Sequence, residues 1–453
     1  MSGTIFPDRG DILRMVRGGS PVTVGQRIAE GGQGVVYQAT LPSGSPVAVK
    51  WYRPLPHAGE LRAAISALSS RPRPHPAFAW PLDLVQGDGL PGFGYVMPLL
   101  APRFRPLARI ISAVEPPSFR SAAGIGRRIA DAFAALHGAG LCYRDISLGN
   151  LLAVPGTGEV AIVDNDNVGT DGSAVFVKGT LRFMAPEVLR DEVAPSTVSD
   201  LHSLAVILFF LLVHGHPLEG SRLEASYSWK TDGHVSETRL ALQHFGRSPL
   251  FVFDPDDDSN RPLPGDPRLT WWPLYPRFLR ELFTRTFTAG LSDASLAGRV
   301  TEGVWRRALI RLGDSVSGCA CGASVFWDPE TRGKRCWHCG AVPPDPQLLE
   351  IPGHLVALAE GATLSSGHLQ RDRDYDAIRA VVEPHPARSG ELLLHNHSGT
   401  AWTVELPGEG TRQVLPGQRL RIRPLKIDFG AVRGVIRSPV PGTPPSPPPP
   451  QLP

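Results

Sequence analysis

Between residues 20 and 100 apolar and polar positions alternate in short runs broken by glycine-containing turns, and VVYQATLPSGSPVAVKWY (Val35–Tyr52) predicts two strands joined at Pro-Ser-Gly. From about 101 to 312 the period changes. In GIGRRIADAFAALH, Ile125, Ile129, Phe133 and Leu136 recur at spacings of four, four and three, the apolar face of one helix. LAVILFFLLV (Leu204–Val213) is about half the length needed to cross a bilayer and predicts a buried core helix. A compact cysteine-bearing segment spans 316–342, and past a proline-rich linker TAWTVELPGEGTRQVLPGQRLRIRPLKIDFG alternates again between Pro-Gly turns, predicting a small all-β unit over 350–437. PGTPPSPPPPQLP, within 438–453, has no means of building a packed core and is expected to be a disordered tail. No internal repeat is visible.

Composition narrows the class without choosing a function. The 453 residues are 42% hydrophobic and 20% charged, as in globular proteins, and the formal net charge of +3 offers no global basic field for nucleic acid. The N-terminus MSGTIFPDRGDILRM carries charges and proline where a secretory signal needs an apolar run, and no apolar stretch reaches about 18 residues, so no membrane association is expected. Four of the five cysteines cluster between Cys319 and Cys339, unlike a disulfide framework spread over a secreted chain; a cytoplasmic location is expected.

The chemistry lies in the first two segments. In IAEGGQGVVY (Ile28–Tyr37) a glycine-rich turn can lay backbone N–H groups over phosphates; alone it is a common hairpin turn. VAVK follows, and a period of two places Ala48 and Lys50 on one strand face, opposite Val47 and Val49. A lysine there can hold phosphate oxygens and needs an acidic anchor. Glu60 is the sole acidic residue between Lys50 and Asp83, on a segment whose Leu61, Ile65 and Leu68 form a helical apolar face. In LHGAGLCYRDISLGNLL, Asp145 and Asn150 are five apart in a loop, and Asp164 follows 14 residues after Asn150. In-line phosphoryl transfer needs a carboxylate near the attacking hydroxyl and two oxygen ligands for metal-bound phosphates, which these three supply.

With GTLRFMAPEVL (Gly179–Leu189), SDLHSLAVILFFLL and GRVTEGVW following in order, residues 20–312 resemble a eukaryotic-type (Hanks-type) Ser/Thr protein kinase. The resemblance implies an α+β, bilobal protein-kinase fold, with an N-terminal extension over 1–19, an N-lobe over 20–100 and a C-lobe over 101–312. It implies ATP with Mg²⁺, or Mn²⁺, as cofactors. Lys50 and Glu60 would form the activating ion pair, Asp145 would be the catalytic base, and Asn150 and Asp164 the Mg²⁺ ligands. Ile28, Ala29, Gly31, Gly32, Gly34, Val36, Ala48, Met97, Leu99 and Leu100 would surround the nucleotide, with Met97 gating the adenine pocket before a Pro98–Leu100 hinge. Glu187 would pair with Arg299, and Asp200 would brace the catalytic loop.

Several positions depart from the family. Ala29 stands for the first loop glycine, Tyr143 for the histidine before Arg-Asp, and Ser147 for a lysine that steadies the γ-phosphate. In DNDN, Asp164 survives while Asn165 and Asp166 replace the phenylalanine and glycine of the usual switch; catalysis is expected with altered regulation, and Asp166 is expected to face solvent, the alternative being an added carboxylate near the metals. The Ala-Pro-Glu segment favours a protein substrate over a small molecule. Thr170 and Ser173 are the first candidates for autophosphorylation, with Thr180 assigned to the substrate platform.

CACG and CWHCG form Cys-x-Cys and Cys-x-x-Cys pairs, predicting a zinc ribbon on Cys319, Cys321, Cys336 and Cys339, with His338 as substitute ligand. Cys142 is expected in the core. The β unit resembles a forkhead-associated domain without the usual phosphothreonine-reading residues, and Arg419, Arg421 and Arg423 alternate onto one strand face as a solvated basic face or an anion surface. The combination resembles bacterial kinases that accompany a von Willebrand factor A protein and a metal-dependent phosphatase, which implies those signalling partners. The alternative is an ATP-binding pseudokinase scaffold that docks partners through the ribbon and β unit.

Overall fold

A computed structural model of the chain describes residues 5–112, 117–171, 179–228, 236–406 and 410–438. The proline-rich tail after Ser438 and Ser173 lie outside the described residues. Two compact units are present: one of residues 1–117, 125–268 and 282–306, the other of 118–124, 269–281 and 307–453.

The first unit opens with a closed barrel of antiparallel strands in the order β1-β2-β3-β4-β6-β5, formed by β1 (Ile12–Met15), β2 (Pro21–Glu30), β3 (Gly34–Thr40), β4 (Pro46–Tyr52), β5 (Asp83–Gly87) and β6 (Gly94–Pro98). β1 lies inside the segment expected to precede this lobe. It pairs with both β2 and β5 and buries Leu13 completely, so four residues suffice to close the barrel. Such a strand, with one buried side chain, is too short for its alternation to stand out in sequence.

The two faces of β4 separate as its period requires: Val47, Val49 and Trp51 enter one core, while Ala48 and Tyr52 enter another with Leu61, Ile65 and Met97. Leu61 and Ile65 belong to helix α1 (Ala58–Ser69).

Below the barrel, Ile125, Ile129, Phe133 and Leu136 of the helix Phe119–Gly138 are fully buried, as their spacing predicts. The helix Thr197–Val213 is buried almost throughout. Its N-terminal N–H groups are satisfied by a reciprocal Ser196–Ser199 capping box. A small sheet of β7 (Arg105–Pro106), β8 (Leu151–Ala153) and β9 (Val160–Ile162) carries the loops holding Asp145 and Asp164. No helix among the described residues is long and apolar enough to cross a membrane.

In the second unit β10 (Val316–Gly318) pairs with β11 (Ser324–Phe326). Beyond it, β12 (Leu348–Ile351), β13 (His354–Ala357), β17 (Trp402–Leu406), β18 (Gly410–Val414), β20 (Leu425–Asp428) and β21 (Arg433–Arg437) make a six-stranded sheet. β14 (Thr363–Ser365), β15 (Ile378–Pro384), β16 (Leu392–Asn396) and β19 (Arg419–Arg421) make a four-stranded one. One core joins both sheets, with Val356, Val404 and Ile427 from the first and Leu364, Val382 and Leu394 from the second. A single helical turn, Ser366–Leu369, interrupts what the alternation predicts as purely β.

Candidate active site

The glycine-rich segment is a tight hairpin turn between β2 and β3. Ala29 pairs with Val36, and the Gly31 N–H donates to the Gly34 carbonyl at 2.9 Å. A Cβ on Gly34 would lie 2.1 Å from the Trp51 carbonyl oxygen, so this position admits only glycine. Gly31 and Gly32 are exposed, as is Ile28, while Val36 faces Lys50 across the β3–β4 ladder. Ala48 lies opposite Met97 of β6, both buried, and the chain leaves that strand through Pro98 with Leu99 and Leu100 partly covered.

Lys50 is 6% exposed and its ammonium donates to Asp166 Oδ2 at 2.8 Å and Asp164 Oδ1 at 3.0 Å. Burial works against its charge, but Asp166 and Asp164 outweigh it and hold the ammonium above its ordinary range. This corrects two expectations. Glu60 is exposed and does not pair with Lys50, because the buried face of α1 is Leu61, Ile65 and Leu68. Asp166 does not face solvent. It is 5% exposed, accepts the Tyr52 hydroxyl as well as Lys50, and is held below the usual carboxylate range by Lys50 and Tyr52 despite burial. Asn165, in the place of the usual phenylalanine, is fully buried and donates to the Ile162 carbonyl at 3.2 Å, while its own Oδ1 has no partner.

Asp145 sits in the loop between the helix Phe119–Gly138 and β8. Asn150 donates through Nδ2 to the Asp145 carbonyl at 2.9 Å and to its carboxylate at 3.2 Å, and the Thr180 hydroxyl donates to Asp145 Oδ1 at 2.8 Å. Burial pushes the Asp145 carboxyl up even though these hydrogen bonds pull the other way. Asp200, almost completely buried, accepts the backbone N–H groups of Tyr143 at 2.5 Å and Arg144 at 2.9 Å, the brace expected of it. Arg144 and Asp164 have φ of 75° and 54°, left-handed backbone that costs a non-glycine residue about 1 kcal/mol.

Tyr143 fills the histidine position with more than bulk. Its ring packs on Phe78 and Phe133, and its hydroxyl donates to the Val163 carbonyl just before Asp164. Ser147 is buried, and Thr170 is exposed. Cys142 is buried, and desolvation pushes its thiol up to about 12, in keeping with a core residue. Arg299 donates to both Glu187 oxygens at 2.7 Å. The hydrogen bonds from Tyr52 to Asp166, from Tyr143 to Val163 and from Thr180 to Asp145 leave no mark in the sequence. The one available signal was the period of two that places Tyr52 beside Lys50.

Asp164 and Asn150 supply hard oxygen donors at adjoining backbone positions, the Val163 N–H donating to the Asn150 carbonyl at 3.0 Å. Asp164 keeps 48% of its side chain exposed. That donor chemistry fits a hydrated Mg²⁺, which takes few protein carboxylates.

In the second unit the four thiols of Cys319, Cys321, Cys336 and Cys339 converge, all within 4.8 Å of one another; His338 is outside the group. The sulfurs of Cys319 and Cys339 are 3.6 Å apart and those of Cys321 and Cys336 3.9 Å, so neither pair is a disulfide. Elsewhere Asp314 accepts from His354 at 3.0 Å and His368 at 3.1 Å. His368 Nδ1 accepts the Ser365 N–H at 3.0 Å, which puts its proton on Nε2 for Asp314, so a hydrogen-bonded tie satisfies this cluster without a metal. The basic strand face is largely neutralised: Arg419 donates to Glu383 at 3.0 Å and Arg421 to Glu391 at 2.9 Å, and Leu420 between them points into the core.

The barrel carrying Lys50 is followed in the same unit by helices and a small sheet whose loops carry Asp145, Asn150 and Asp164, an arrangement similar to the two lobes of protein kinase domains. Residues 98–249 match the family model described as protein kinase domain. The serine/threonine-protein kinase AfsK of Streptomyces coelicolor is 29% identical over 207 residues, covering 44% of this chain and 25% of that protein. AfsK of Streptomyces griseus is 29% identical over 211 residues, again 44% of this chain and 25% of that protein. CBL-interacting protein kinase 3 of Oryza sativa subsp. japonica is 33% identical over 98 residues, 20% of this chain and 22% of that protein. The chain spans about a quarter of the length of these curated relatives.

Proposed function

We propose that this chain is an ATP- and Mg²⁺-dependent protein serine/threonine kinase. The observation that carries the reading is the Thr180 hydroxyl held on Asp145 Oδ1 at 2.8 Å: the carboxylate already accepts an alcohol O–H in the way a substrate hydroxyl would be aligned. A bound Mg²⁺ on Asp164 and Asn150 would neutralise phosphate charge. Lys50 would hold phosphate oxygens, the exposed glycine turn would cover them with backbone N–H groups, and Asp145 would orient the attacking hydroxyl and take its proton. Asp200 keeps that loop in place through the Tyr143 and Arg144 N–H groups.

The finer assignments are proposals with separate supports. The four converging thiols support a structural Zn²⁺, which binds such a set as thiolates. The sequence resemblance supports a cytoplasmic bacterial signalling setting, autophosphorylation, and von Willebrand factor A and phosphatase partners. Thr170, exposed, is favoured as the modified residue over Thr180, whose hydroxyl is held on Asp145. A second reading, nucleotide binding without transfer, draws support from the contact between Lys50 and Asp164, which occupies an oxygen proposed for the metal.

The test is Mg²⁺-dependent transfer of labelled γ-phosphate by the purified chain beside Asp145→Asn. Transfer to serine or threonine that falls by about a hundredfold or more in the variant supports the kinase. ATP binding with no transfer in either protein favours the scaffold.

A further inference from the structure

The anchor of Lys50 lies on an unexpected element. Leu61, Ile65 and Leu68 are buried at spacings of four and three, which commits that face of α1 to the core. Glu60 stands about 100° round the helix from Leu61 and is exposed. Turning Glu60 towards Lys50 would carry all three apolar side chains out of their packing.

Asp166 reaches Lys50 without any such cost. Asp164 takes a left-handed φ of 54°, and the turn Asn165–Asn167 that follows brings Asp166 under β4. Lys50 and Tyr52 are two apart on that strand and share a face, so both donate to the same buried carboxylate. Between this turn and the start of α1 lies a cavity of about 160 Å³, lined by His57 and Leu61 on one side and Asp166 and Asn167 on the other. The carboxylate at this point of the fold comes from the turn, and the helix contributes a leucine.

We propose that Asp166, held by Tyr52, is the residue that positions Lys50 for the phosphates of a nucleotide, in place of a glutamate from α1. The inference rests on the nucleotide-binding reading above. One short turn then carries both the metal-binding aspartate and the lysine's anchor. Two of the three ammonium N–H groups face Asp164 and Asp166, and the third is left for a phosphate oxygen. No inward movement of α1 is needed to complete the site.

The experiment uses the full chain and three readouts: affinity for a fluorescent ATP analogue with Mg²⁺, covalent labelling of Lys50 by an acyl phosphate of ATP, and kcat and KM for ATP. Asp166→Asn should weaken nucleotide affinity and Lys50 labelling by about tenfold or more and raise the KM for ATP more than it lowers kcat. Tyr52→Phe should give a smaller loss of the same kind, Asp166→Glu should recover part of it, and Glu60→Gln should stay within about twofold of wild type. Circular dichroism identifies a misfolded variant; if Asp166→Asn misfolds, Tyr52→Phe and Glu60→Gln decide the matter. Loss on Glu60→Gln, with Asp166→Asn or Tyr52→Phe unchanged, overturns the proposal. Wild-type protein that binds ATP and labels at Lys50 but transfers nothing ends the kinase reading and leaves the positioning role standing. Wild-type protein that does neither ends both.

Discussion

Arg299 closes on Glu187 through two N–H···O contacts of 2.7 Å, both side chains almost fully buried, and ties the Ala-Pro-Glu segment to the chain just before the helix Glu302–Asp314. His202 lies on the other side of the guanidinium at 3.3 Å; desolvation and the Arg299 charge push its pKa well below the ordinary value, so it stays neutral and can accept that N–H.

Removing one partner of this pair should therefore be costly. Arg299→Met leaves the Glu187 carboxylate buried without its cation, and the expected loss is about 3 kcal/mol or more. Urea unfolding followed by tryptophan fluorescence measures it; an exposed pair such as Arg277 and Glu281 should cost under about 1 kcal/mol in the same assay.

His137 predicts a pH dependence of stability. Burial opposes its charge, but hydrogen bonds to Asp200 at 3.2 Å and to Glu302 prevail and raise its pKa to about 9, from 6.5. The folded pKa is above the unfolded one, so the contribution is fully present below about pH 6.5 and is lost as pH rises through about 9. Melting temperature should fall between pH 7 and pH 9.5, by an amount on the order of 3 kcal/mol in stability, and His137→Gln should flatten that part of the profile. Because Asp200 also holds the Tyr143 and Arg144 N–H groups, transfer activity should fall with it.

The thiol cluster predicts metal content. The purified chain should carry about one zinc per molecule, and Cys336→Ser should reduce that content sharply. A strong chelator should lower the melting temperature of wild type and leave the variant unmoved. Elemental analysis with a thermal melt checks both, and a wild type without zinc removes the assignment.

Much of the site was legible because its parts are local. Lys50 on an alternating strand, Asp145 and Asn150 five apart, and Asp164 behind a short apolar run each declare themselves by type and spacing, as do the two cysteine pairs. The helix bearing Ile125, Ile129, Phe133 and Leu136 was equally plain, because a 3.6-residue period is a property of the chain itself. β1 escaped because four residues with one buried side chain leave no pattern. The small basic face was visible in the alternation of Arg419, Arg421 and Arg423, but the neutralisation of Arg419 and Arg421 comes from Glu383 on β15 and Glu391 just before β16, about 30 residues earlier in the chain.

The sequence by itself determined which groups are present and in what order: a lysine, an acidic helix residue, a loop aspartate, and a second aspartate followed by Asn-Asp-Asn. Only the tertiary structure decided which carboxylate meets the lysine. That choice depends on the phase of α1, set by burial of Leu61, Ile65 and Leu68, and on the path of the turn after Asp164. The first is settled by packing of α1 against β4, β5 and β6, and the second by contacts between Asp166 and a strand 116 residues earlier, neither of which local spacing records.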